Sequence, residues 1–434
     1  MHAYGVVRPA LAIAIVAVVA ACAGPQPGSA QESPFWTALS PGEYDTGFRR
    51  VWTLDETRVW PRSPALDSLS GAIARPVRVD VWYPARCGDA GRMPVREYVE
   101  IDPPDSRYDD MVSVLHAWDD YSYRGLAGDS AGFERLMAAP TAACRDASPA
   151  GGRFPLVVYS AGWFNRSPDN TILAEFLASH GFVVAAVPQL NPGLWTYDFR
   201  SDPASIENQI RDLEVALSRL IGAADVDRRR IAAMGYSTGG DVALLLQGRN
   251  PHVDAVVGLD ASWTIGSVDD VLSSPYFGPE RNRAPILALR RPTDGGVDGP
   301  NVPLDSLATT PRLIVEVPGG EHGTFSDDPA QRHYLGTGPG EHVASHAAVA
   351  RAVLDFLNAT IGETGALDGG RLVETYRSRG LSARYRPPSE VASEVGVRQC
   401  TAPCGSDPRR ARRFGNRHAY VVTVAASAGQ LTFR

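Results

Sequence analysis

I-A-A-M-G-Y-S-T-G-G, residues 231–240, runs directly into D-V-A-L-L-L-Q, residues 241–247. Four apolar residues lead into Gly235-Tyr236-Ser237-Thr238-Gly239, and a helix-forming segment leaves it. That order predicts a buried strand, a tight turn and a helix. The two glycines have a steric reason. A side chain at position 235 or 239 would meet the neighbouring strand or helix, and glycine tolerates the strained dihedrals of such a turn. Ser237 is then left at the tip with its hydroxyl exposed. The amides of the helix that begins there favour developing negative charge. The chain has 42 glycines, so G-x-S-x-G alone would be a weak signal. The strand before it and the helix after it make Ser237 a candidate nucleophile.

Similar units flank this stretch on both sides. F-P-L-V-V-Y (154–159) is a buried strand ending in Ser160-Ala161-Gly162-Trp163. A helix is predicted over about 170–179, capped by Ser167 or Asp169. G-F-V-V-A-A-V (181–187) is the next strand, and Ile206, Ile210, Leu213, Leu217 and Leu220 lie at helical spacing. A-V-V-G-L (255–259) delivers Asp260, and A-P-I-L-A-L (284–289) precedes Asp294. R-L-I-V-E-V (312–317) precedes G-G-E-H-G (319–323), and an amphipathic helix closes the series over 341–360. Strands alternating with helices predict an α/β fold: a mostly parallel central sheet with helices on both faces. Upstream, residues 48–54 and 77–83 alternate apolar with polar positions, as antiparallel opening strands do, and Pro84 stops the second. Residues 85–150 read as a loop-rich insertion with helices near 111–118 and 130–139, placed to cover a pocket.

A serine hydroxyl is a poor nucleophile at neutral pH. It needs a base within hydrogen-bond reach, an acid to orient that base, and donors for the oxyanion. In open parallel sheets these groups sit at the carboxyl ends of strands. His322 meets that condition, in a glycine-rich loop after the last core strand. His180 precedes a strand, and His342 and His346 fall in the closing helix. Two residues compete for the acid: Asp260, after the strand that follows the turn, and Asp294, one strand later. Each has a plain structural alternative, Asp260 as a helix cap and Asp294 as a turn residue before Gly295.

Four motifs resemble the platelet-activating factor acetylhydrolase-like and dienelactone hydrolase-like branch of the α/β hydrolases: Y-S-A-G-W (159–163), G-Y-S-T-G-G (235–240), L-D-A-S-W (259–263) and G-G-E-H-G-T-F (319–325). The resemblance covers about residues 75–360. It implies an α/β-hydrolase fold with Ser237 as nucleophile, Asp260 rather than Asp294 as acid, and His322 as base. It also implies an oxyanion hole from the amide of Thr238 with that of Trp163 or Gly162. The family commonly carries His where Ala161 and Tyr236 stand, a departure that bears on substrate preference. The implied activity is a serine carboxylic ester hydrolase acting on a small-molecule ester, small or lipid-like. A polyester, cutin-like or dienelactone substrate would use the same site. No cofactor or metal is required. A non-catalytic envelope lipoprotein is the reading from another class.

The formal charge of −7 gives no electrostatic case for nucleic acid binding. Residues 10–21 form an apolar run too short for a convincing membrane span, ending V-A-A-C at Cys22. This resembles a bacterial lipobox. It implies a signal peptide over 1–21, a lipid anchor at Cys22 and a membrane-attached envelope protein, periplasmic or at the cell surface. An ordinary secretory signal cut near residues 28–30 is the alternative, and either implies export. Residues 22–34 read as a flexible tether, 35–362 as the catalytic domain and 363–434 as a small C-terminal extension of unassigned fold. Four cysteines remain: Cys87, Cys144, Cys400 and Cys404. An even number in an oxidising compartment predicts disulfides. Three pairings are possible, with Cys87–Cys144 and Cys400–Cys404 the more natural. No His pair gives them a zinc-like spacing. The arginines at 409, 410, 412 and 413 read as a solvated cluster, or one that meets anionic lipid.

Overall fold

Among the described residues, eleven strands form one sheet. They are β1 (Asp45–Trp60), β2 (Ile73–Arg86), β3 (Ala143–Arg145), β4 (Ser148–Pro149), β5 (Phe154–Ser160), β6 (Val183–Val187), β7 (Val226–Tyr236), β8 (Ala255–Leu259), β9 (Ile286–Arg290), β10 (Arg312–Glu316) and β11 (Ser382–Arg386). Their order is β11-β10-β9-β8-β7-β5-β6-β2-β1-β3, with β4 paired to β2. From β6 to β10 every pairing is parallel. β2 is antiparallel to both β1 and β6, and β11 is antiparallel to β10. The computed structural model describes residues 33–60, 73–88, 91–163, 169–190, 202–265, 268–363 and 365–389. All of these belong to one unit, 1–390, and residues 391–434 make a second. Cys22, Cys400, Cys404 and the arginine cluster lie outside the described residues.

The central strands β5, β6, β8, β9 and β10 are buried at every position. Continuous apolar runs are what a sheet covered on both faces requires. Alternate side chains go to opposite layers. Val157 and Tyr159 join the core under helices Thr171–Ser179 and Gly340–Thr360. Leu156 and Val158 join the core under helices Pro203–Leu220 and Thr238–Arg249.

Three details depart from the sequence expectations. The insertion has a short helix at Arg96–Val99, and the one expected near 111–118 runs over Asp109–Ala127. Its buried stripe continues through Asp119 to Tyr123, Leu126 and Ala127, and a buried carboxylate in the stripe breaks the apolar pattern. Helix Thr171–Ser179 is not capped by Asp169, whose carboxylate meets Tyr159 and the Gly162 amide, nor by its N-cap residue Asn170, and Ser167 lies outside the described residues. Instead Asp327 accepts from the amides of Thr171 and Ile172 at 2.7 and 3.1 Å. A cap contributed from so far along the chain leaves no local signature. Finally, the region after 362 begins inside the sheet. Helix Gly369–Ser378 buries Tyr376 completely, and β11 pairs with β10. The S-A-R-Y-R of β11 is a charged edge strand, polar enough to hide from an apolar pattern. Arg384 and Arg386 pair with Asp298 and Asp305.

The insertion is joined across its two ends and bonded to the core helix. Cys87 and Cys144 form a disulfide. Glu175, in the core helix, accepts from Tyr98 Oη at 2.7 Å and from the Ala142 amide at 3.2 Å. Burial pushes the Glu175 carboxyl up from 4.5 to about 7. Because the folded value lies above the ordinary one, its stabilising contribution is full below 4.5 and lost as pH rises through about 7. Thermal melts across that window are expected to show wild-type Tm declining relative to Glu175→Gln. Parallel curves for the two proteins would contradict this.

Candidate active site

The turn after β7 is as tight as its glycines require. A Cβ at Gly235 would lie 1.9 Å from the Gly239 carbonyl oxygen, and one at Gly239 would lie 2.1 Å from that of Ser160. Gly240 is a third constrained position, where a Cβ would fall 2.2 Å from Ala261 Cβ. Ser237 adopts φ 53° and ψ −124°. Among the described residues, the other non-glycine positions with positive φ are Asp146 and Asp260. Two of these three are candidate site residues, and strained backbone of this kind persists only where its surroundings over-determine it. Here the Ser237 amide donates to Leu259 O, the Ser262 amide to Ser237 O, and the Asp260 amide to Leu289 O. The ends of β7, β8 and β9 are thereby stitched together.

Ser237, His322 and Asp260 meet at that point. His322 Nε2 lies 3.1 Å from Ser237 Oγ, and His322 Nδ1 lies 2.6 Å from Asp260 Oδ2. An ionised carboxylate only accepts, so Nδ1 carries the imidazole proton and Nε2 is left to accept from the serine. Asp260 is fully buried, while His322 is 37% exposed. The second carboxylate oxygen of Asp260 accepts from the Arg291 amide at 3.0 Å, and the Arg291 guanidinium stands 3.8 Å from Oδ2. Asp294 is not brought to His322: it is an exposed turn residue before Gly295, which has φ 88°. Of the two candidate acids, geometry joins Asp260 to the histidine.

The amide of Thr238 is the first of its helix, and first-turn amides have no acceptor within the helix. The Trp163 amide donates to Thr238 Oγ1 at 3.1 Å, which places it beside the turn. The Gly162 amide points elsewhere, to Asp169 Oδ2 at 3.3 Å. Both amides thus have an acceptor, but that of Trp163 is directed at the residue after Ser237, whereas that of Gly162 is directed away to Asp169.

Other contacts were not anticipated. Tyr236 donates from Oη to the His322 carbonyl at 3.0 Å, and its ring stacks on the imidazole at 4.9 Å and 29°. The signal was present as a buried aromatic immediately before the nucleophile, but only the fold shows that it reaches the histidine. A capping box between Glu321 and Thr324 holds the short helical turn His322–Phe325. His346 lies fully buried beneath that turn, with Nδ1 3.3 Å from Thr324 O, and burial pushes its imidazole down to about 4. Asp241, at the start of the serine's helix, accepts from the Trp263 amide at 3.2 Å, and burial raises its carboxyl well above the usual range.

No protein-family model and no curated protein matches this chain. Among solved structures, a ferulic acid esterase from Streptomyces cinnamoneus aligns with a TM-score of 0.54 and 25% identity. The alignment covers 74% of this chain and 91% of that one. This is the α/β-hydrolase fold. With an esterase as neighbour, the likeness supports ester hydrolysis as the general activity. In this fold Ser237, Asp260 and His322 follow the carboxyl ends of β7, β8 and β10.

Proposed function

We propose that the chain is a serine carboxylic ester hydrolase that works through Ser237, His322 and Asp260. The observation that carries this reading is the hydrogen-bonded chain from Ser237 Oγ to His322 to buried Asp260, built on a strained serine at a turn of three constrained glycines. Ser237 Oγ attacks the ester carbonyl carbon while its proton passes to His322 Nε2. Asp260 stabilises the imidazolium and holds the ring. The amides of Thr238 and Trp163 receive the oxyanion. His322 then returns the proton to the leaving alcohol, and water repeats the cycle on the acyl-enzyme.

Small or lipid-like esters are the first substrate class, in line with the sequence resemblance. The likeness to a ferulic acid esterase favours a second: esters of aromatic, hydroxycinnamate-type acids. Polyester, cutin-like and dienelactone substrates would pass through the same steps. Export with a lipid anchor at Cys22 is part of the same proposal; the Cys87–Cys144 disulfide bears on export alone, since such bonds persist in oxidising compartments.

Residues 31–434, assayed on p-nitrophenyl esters of increasing acyl length and on methyl ferulate, test the proposal. Turnover is expected on at least one series, with an initial p-nitrophenol burst stoichiometric with enzyme where acylation outpaces deacylation. No turnover on any ester would favour a binding role for the fold.

A further inference from the structure

The two halves of the site, the oxyanion loop after β5 and the histidine loop after β10, come from distant parts of the chain. Residues 169–172 lie between them and bond to both. On the oxyanion side, Asp169 is 1% exposed. Its Oδ1 accepts from Tyr159 Oη at 2.7 Å, and its Oδ2 accepts from the Gly162 amide at 3.3 Å. Tyr159 is the penultimate residue of β5, and Gly162 precedes Trp163. On the histidine side, Asp327 is fully buried. Its Oδ2 accepts from the Thr171 amide at 2.7 Å and from Thr171 Oγ1 at 2.6 Å, and its Oδ1 accepts from the Ile172 amide at 3.1 Å.

Two further bonds join the halves. The Asp327 amide donates to Asp169 O at 2.9 Å. Asn170 Nδ2 donates both to Tyr159 Oη at 2.8 Å and to Phe325 O at 3.0 Å. Phe325 ends the helical turn that starts at His322. Every group in this bracket is buried, so its bonds are shielded from water and geometrically demanding. Ordinary helix capping would need only one local side chain. The residue at the N-cap, Asn170, instead bridges the two loops.

We propose that Asp169 and Asp327 are positioning residues that fix the Trp163 amide relative to His322. The bracket sets the spacing between the oxyanion donor and the base, so the two reach the same carbonyl carbon and oxygen together. This rests on the esterase reading and adds to it a coupling between loops that no single motif contains. Misplacement of catalytic groups by about 1 Å can cost about 100-fold in rate.

The test compares wild type with Asp169→Asn, Asp327→Asn and the double variant in the 31–434 protein. Rates on a p-nitrophenyl ester are expressed per site titrated by the burst. A boronic acid serves as transition-state analogue. Each single change is expected to lower kcat by about 10- to 100-fold, with KM moving less than about 3-fold. Boronate affinity should fall in parallel with kcat/KM. The double variant should lose less than the product of the single losses, because the two act on one spacing. If the aspartate variants do not fold, Tyr159→Phe, which removes only the hydroxyl linking Asp169 to Asn170, is expected to show the same kcat-selective loss. A kcat per titrated site within 2-fold of wild type, or losses confined to KM, would overturn the positioning role. Absence of turnover in wild type would instead overturn the esterase reading beneath it.

Discussion

Ser237→Ala is expected to lower kcat for ester hydrolysis by about 10⁶-fold while leaving Tm within about 2 °C of wild type. The size of the effect follows from the role. Without Oγ there is no acyl-enzyme, and His322 has no proton to accept. What remains is the weak catalysis of two amides and a bound substrate. The small effect on stability follows from the site. Ser237 Oγ makes one hydrogen bond, to a histidine ring that is 37% exposed. The turn is held by its backbone bonds to Leu259 and Ser262 and by the close approach of Gly235, Gly239 and Gly240. Alanine keeps all of those. Activity retained within 10-fold would remove Ser237 from the chemistry.

Asp260→Asn is expected to cost about 10⁴-fold in kcat, and Asp294→Asn less than 2-fold. Asparagine at 260 is nearly isosteric and can still meet the Arg291 amide. However, it lets His322 adopt the tautomer whose Nε2 carries a proton, and that nitrogen then cannot accept from Ser237. Asp260 is fully buried, so no water replaces its charge. Asp294 is exposed, and the carboxylate that meets the imidazole is that of Asp260. Its substitution alters a solvated turn. Steady-state kinetics on one ester, with both variants at equal titrated concentration, separates the two. Comparable activity in Asp260→Asn and wild type would contradict the assignment.

The parts of the site that were legible in the sequence share a property: each is set by a few consecutive residues. The glycines around Ser237 announce their turn because one Cβ would meet backbone at 1.9 Å. The apolar run of β8 delivers Asp260 and that of β10 leads to His322, so alternation of strands and helices was enough to place the sheet. The choice between Asp260 and Asp294 was different. Both end parallel strands, and position alone did not separate them. The motif around 259–263 favoured Asp260, and in the structure it is Asp260 whose carboxylate lies 2.6 Å from His322 Nδ1. What escaped the sequence depends on pairing over distance. Asp327 caps a helix 156 residues away. Tyr236 stacks on a ring 86 positions later. β11 is polar because it lies at an edge, and Asp119 sits in a helix stripe where an apolar residue would be looked for. Each of these is a polar or aromatic group whose burial is decided by a partner that local periodicity does not contain.

The assignment of Ser237 as a nucleophile activated by His322 can be tested by labelling the 31–434 protein with a fluorophosphonate, followed by peptide mass spectrometry. One adduct per chain is expected, on the tryptic peptide carrying Ser237, with loss of esterase turnover in proportion to labelling. Under this assignment His322→Ala slows the labelling by at least about 100-fold. Full inhibition with the adduct on another residue, or hydrolysis that persists when Ser237 is fully labelled, would contradict it.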